Sequence, residues 1–117
     1  MQAQTMGPRN GGFILSEAGS ISFEEKNVIG GQYLAGTVLS KKSNGDFTQV
    51  NPTATGSEKT AVAVLIATTD ATEAVNKTVL ARLSEVDTKK LVWPEGITNA
   101  QTQTALTQLA ANNIIAR

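Results

Sequence analysis

Carboxylates are the side chains of this sequence best suited to acid–base work, because the chain contains neither His nor Cys. That absence excludes Cys/His zinc sites, thiol nucleophiles, disulfides, Ser-His-Asp triads and the commonest general base. Glu24 and Glu25 are adjacent in a stretch that alternates like a strand, so they face opposite sides and cannot act as a pair. Glu85 and Asp87 are two apart and can share a face, but they fall at an expected turn beside Lys89 and Lys90, where solvated charges account for them. Asn44, Gly45 and Asp46 have calcium-loop residue types without the ligand register or the closing Glu. Gly30, Gly31 and Gly36 are not followed by the Gly-Lys-Ser/Thr of a phosphate loop. Lys41 and Lys42 read as a solvated strand end. Trp93, the sole Trp, has no polar catalytic neighbours and reads as a core or interface anchor. The sequence therefore points to no catalytic, metal or cofactor site, and the expectation is a protein that is not an enzyme.

The whole chain supports a binding or structural role. Its 117 residues make one domain. A chain of that size buries roughly two-thirds of its unfolded surface. Charged residues are 17%, below the usual share of about 25%. Ten basic and ten acidic side chains cancel, and no cluster of Lys and Arg offers the phosphate contacts a nucleic-acid binder needs. No run approaches the roughly 18 apolar residues of a membrane span. The N-terminus lacks the charged start and apolar core of a signal peptide, so synthesis inside the cell without a membrane anchor is expected.

Residues 1–12, MQAQTMGPRNGG, have too little apolar surface to order by themselves. Phe13, Ile14 and Leu15 then form a short apolar run. From Ser20 to Val28, Ile21, Phe23 and Glu25 alternate with Ser22, Glu24 and Lys26, which predicts a strand. Both pieces precede Gly30-Gly31, a natural hinge. An apolar segment on a hinge can either await a partner or pack on its own domain, and the residues alone leave both open.

Beyond the hinge, Tyr33 to Lys41 and Phe47 to Val50 read as strands around an Asn44-Gly45 hairpin, with both turn residues able to take positive φ. Asn51-Pro52 ends the second strand. Thr60 to Thr69 is apolar on both alternating faces, which predicts a strand buried on both sides. Asp70 to Asn76 reads as a loop, Lys77 to Glu85 as a strand, and Leu91 to Trp93 as a short strand stopped by Pro94. Thr98 with Gln101 makes a capping box for a helix running to Asn112, with Ala105, Leu106, Leu109 and Ala110 as its apolar stripe. Asn112 or Asn113 can close it in the left-handed region, and Ile114 to Ala116 returns as a strand. The fold class is α+β: a small β-rich domain with a short C-terminal helix and an extended N-terminal arm.

Three stretches together resemble the head decoration proteins of lambda-like tailed phages. They are AGTVL at Ala35 to Leu39, the NPTATGSEKTAVAVL segment from Asn51 to Leu65, and LVWPEGIT from Leu91 to Thr98 ahead of the helix. The resemblance covers roughly residues 33–117. It implies a body over residues 33–117 and a capsid-binding arm over residues 1–32, the arm being inferred by position. It further implies a homotrimer on the outer surface of the expanded icosahedral head, at threefold positions, cementing the major capsid protein against DNA pressure. No catalysis, cofactor, nucleic acid or membrane is implied. In that picture Phe13, Ile14, Leu15, Ile21, Phe23 and Val28 are the arm's capsid contacts, and Trp93 and Pro94 are structural or interface residues. The alternative is a phage surface or baseplate β module for receptor binding, which five aromatics serve poorly.

Overall fold

The computed structural model describes residues 12, 14–17 and 19–117. Ten strands and one helix are found among them, in α+β order. The strands are β1 (Ile14–Glu17), β2 (Phe23–Val28), β3 (Gly31–Tyr33), β4 (Val38–Lys41), β5 (Phe47–Gln49), β6 (Ala63–Leu65), β7 (Thr69–Ala71), β8 (Val75–Leu80), β9 (Ser84–Val86) and β10 (Ile114–Ala116). Helix α1 (Asn99–Ala111) precedes β10.

Five strands close a barrel in the order β2-β5-β4-β6-β8. The period-2 geometry of a strand sends successive side chains to opposite faces, and here both faces are apolar. Leu39, Ala63, Leu65 and Val79 join one buried cluster with Val28 and Phe47. Their neighbours Val38, Val64 and Leu80 join the other, beneath α1, with Leu109 and Ile114. This is why the run around Ala63–Leu65 carries no polar side: all three residues are buried. Each fully buried Leu or Val contributes about 1.5–3 kcal/mol.

The chain leaves the barrel through a bend at Ala81, Arg82 and Leu83, where Leu83 takes φ +52°. The expected single strand from Lys77 to Glu85 is therefore two strands. β9 is the middle of a second sheet, antiparallel to β1 and parallel to β10, with a bulge between Ile14 and Ser16. A third, two-stranded sheet pairs β3 with β7. The stretch expected to loop from Asp70 to Asn76 supplies the end of β7 and the start of β8.

Helix α1 forms as its sequence requires. Thr98 Oγ1 accepts the Gln101 N–H at 3.1 Å, and Gln101 Oε1 accepts the Thr98 N–H at 3.0 Å. Ala105 and Leu109 are its buried residues. Asn113 closes it at φ +62°, leading directly into β10.

Two turns differ from expectation. In the β4–β5 hairpin only Gly45 has positive φ, at +97°. Its N–H donates to Lys42 O at 2.9 Å, while the Lys42 N–H donates to Asp46 O at 2.7 Å. That is a type I turn followed by a left-handed bulge residue rather than a turn with two left-handed residues. Gly30-Gly31 is not a free hinge either. The Ile29 N–H donates to Phe47 O and the Gly30 N–H to Ala71 O, each at 2.9 Å. The Tyr33 hydroxyl closes the corner against Ile29 O at 3.1 Å and Thr48 Oγ1 at 3.0 Å.

Strands on the N-terminal side of residue 32 are paired with strands beyond it. β2 pairs with β8 over six registered residues, from Phe23↔Leu80 to Val28↔Val75. It is thus a barrel strand, and β3 is paired as well. The alternation of residues 20–28 signals a strand that forms over Phe23–Val28, while Gly19–Ser22 is a 3-10 turn; it cannot say whether the partner strand belongs to the same chain.

Candidate functional site

Of the carboxylates singled out in the sequence, Glu24 and Glu85 are placed in ion pairs and Asp87 in a cap. Glu24 bonds Arg82 and also meets Lys26 Nζ at 3.2 Å. Glu85 makes a two-point contact with Arg117, at 3.0 Å to Nε and 3.2 Å to Nη2. This contact raises the Arg117 guanidinium above its ordinary pKa. Asp87 Oδ1 caps a short 3-10 turn by accepting the Lys89 N–H at 3.0 Å. Asp70 sits below the ordinary carboxylate range because the Thr72 hydroxyl and N–H both donate to it. Among the described residues no group of three or more acidic side chains is positioned to hold a metal ion. Nor, among the described residues, is any helix long and apolar enough to cross a membrane.

The surface features that remain are apolar. Leu15 is 52% exposed and Ile21 54% exposed. Leu15 is the extra residue at the β1 bulge, on a strand that pairs, among the described residues, with β9 alone. Ile21 lies in a 3-10 turn, Gly19–Ser22. That turn is fastened to the β8–β9 bend. Arg82 Nη1 donates to Ile21 O at 2.6 Å, the Ala81 N–H donates to Ser22 O at 2.8 Å, and Ser22 Oγ donates to Leu83 O at 3.0 Å. A chain end so held presents Leu15 and Ile21 on the outside of the molecule.

The other expected arm contacts lie elsewhere. Phe13 is outside the described residues. Ile14 and Phe23 are partly buried and pack against the core beneath α1. Val28 is fully buried in the barrel, so it cannot touch another chain; its assignment as a contact is corrected. The reason is the register: Val28 opposes Val75 on one side and Phe47 on the other. Trp93 is half-buried and leans on the core cluster. It follows a one-residue bridge, Thr37↔Val92, rather than a full strand. Pro94 begins the turn, its carbonyl accepting the Ile97 N–H at 3.3 Å.

Sequence reasoning missed Leu34, Leu83 and Ile115, which are 47%, 43% and 38% exposed. Leu83 falls inside the strand expected over Lys77 to Glu85, and the bend turns it outward. Two shallow clefts lie on the surface of the described residues. One lies between α1 and the 50–59 segment, lined by Val50, Pro52, Ala100 and Thr104. The other, at the barrel mouth, is ringed by Glu24, Lys26, Lys41 and Arg82. Neither brings together groups that could do covalent chemistry.

A family model described as Bacteriophage lambda head decoration protein D matches residues 3–114. Comparison with curated proteins finds no match.

Proposed function

Because the chain belongs to the Bacteriophage lambda head decoration protein D family, with a structural role on the surface of the phage capsid, we propose that it is a homotrimeric cement. It sits at threefold positions on the outside of the expanded head and holds neighbouring copies of the major capsid protein against the pressure of packaged DNA. The observation that carries this reading is the family match over residues 3–114, which spans nearly the whole chain.

The N-terminal segment ahead of β2 supplies the capsid contact, through the exposed Leu15 and Ile21 rather than through the buried Val28. Among the described residues β1 has β9 as its one partner strand, and its other edge is where a capsid strand would pair. Backbone hydrogen bonds along such an edge give affinity, and alternate side chains give specificity. Three copies joined as one particle bind by multivalency, so modest contacts sum to durable attachment. The protein is made in the host cytoplasm and adds to heads from outside.

The test is to mix purified protein with heads that lack it, sediment them, and image the decorated particles by cryo-electron microscopy. Trimeric density on the threefold positions is the expected result. Dimers, or monomers on the twofold axes, would overturn the proposed stoichiometry, and absence of co-sedimentation would overturn capsid binding by this chain.

A further inference from the structure

We infer that Leu83 is a capsid-contact residue, presented together with Ile21 by the bend between β8 and β9; this rests on the capsid-decorating reading. Leu83 has a left-handed backbone, φ +52°. That conformation crowds any Cβ and suits Gly or Asn far better than Leu. Its side chain gains little in return from the fold, being 43% exposed. Neither local conformation nor core packing therefore accounts for a leucine here. An observed backbone outlier with an apolar side chain turned to solvent points to a contact made outside the chain.

The neighbourhood says which contact. The 3-10 turn that displays Ile21, 54% exposed, is clipped to this same bend. Arg82 Nη1 holds Ile21 O at 2.6 Å, and Ser22 Oγ holds Leu83 O at 3.0 Å. Arg82 is held in turn by Glu24. Two apolar side chains on separate segments are thus fixed along one seam, and Arg82 is the positioning residue. The seam is continuous with the N-terminal segment assigned to capsid binding. Its occupant is an apolar segment of the capsid surface, the partner that family membership provides.

The experiment compares wild type with Leu83→Gly and Leu83→Asn, reading thermal melting, oligomeric state and binding to heads lacking the protein. Both substitutions suit the left-handed backbone. A residue with only a structural role would leave capsid binding unchanged. The expected result is an unchanged or higher melting temperature, an unchanged oligomeric state, and capsid affinity lowered about tenfold, as losing one partly buried leucine contact should give. Ile21→Ser is expected to weaken binding similarly. Wild-type affinity in both Leu83 variants would overturn the inference while leaving the capsid reading intact. So would a changed oligomeric state, which would assign Leu83 to a contact between copies. Failure of the wild-type protein to bind heads would instead overturn the reading beneath it.

Discussion

The Tyr33 hydroxyl occupies the space that a Cβ on Gly30 would need, with Thr48 Oγ1 crowding the same space beside it. Gly30 also has φ +123°, a region that residues with a side chain rarely enter. Sterics and backbone thus demand glycine together. Gly30→Ala is expected to lower stability by at least about 2 kcal/mol, seen as an earlier denaturant midpoint with unchanged slope. A variant as stable as wild type would show that this corner yields easily.

Tyr33→Phe tests the other half of that relationship. The ring remains, but the hydroxyl's bonds to Ile29 O and Thr48 Oγ1 are lost. A loss of about 1–2 kcal/mol is expected, measured by the same denaturant titration.

Trp93→Ala should cost less than a core truncation. The indole is half-buried and lies against the core cluster rather than inside it. About 2–3 kcal/mol is expected, below the roughly 3–5 kcal/mol of a fully enclosed aromatic. A larger loss would mean that the ring is enclosed in solution by a second copy, which melting at several protein concentrations would reveal.

Thr72→Val removes the hydroxyl that does most to hold Asp70 below the ordinary carboxylate range. The Asp70 titration, followed by NMR, should move upward towards that range. A carboxylate with a depressed folded pKa stabilises the fold above its unfolded pKa, and that contribution fades as pH falls through the folded value. The variant should therefore be slightly less stable than wild type near neutrality and converge with it in acid. Asp70 is fully exposed, so the difference is small.

Deleting residues 1–13 leaves every described strand in place. The truncated protein should melt close to wild type and occupy heads less fully, measured by sedimentation. Deleting residues 1–30 is a different experiment, because it removes β2 from the closed barrel, and it should abolish folding. A folded, stable protein lacking residues 1–30 would show that β2 is dispensable.

Local chemistry was legible in the sequence. Thr98 and Gln101 specified the helix start, and Asn112 or Asn113 its left-handed close, which Asn113 makes, because caps depend on residues within a few positions of one another. The apolar run from Thr60 to Thr69 announced a strand buried on both faces because its period needs no partner to be seen, though only Ala63–Leu65 of it forms that strand. The residues of the family resemblance likewise lie in continuous stretches. Pairing was not legible. Residues 20–28 alternate as a strand must, yet only the tertiary structure shows that β8 of the same chain takes up the partnership, which buries Val28. Gly30-Gly31 reads as a hinge until Tyr33 and Thr48 close around it. Leu83 reads as one more strand residue until the chain bends out of the barrel and exposes it. Which contacts form across dozens of residues depends on closure of the whole barrel, and no local periodicity encodes that closure.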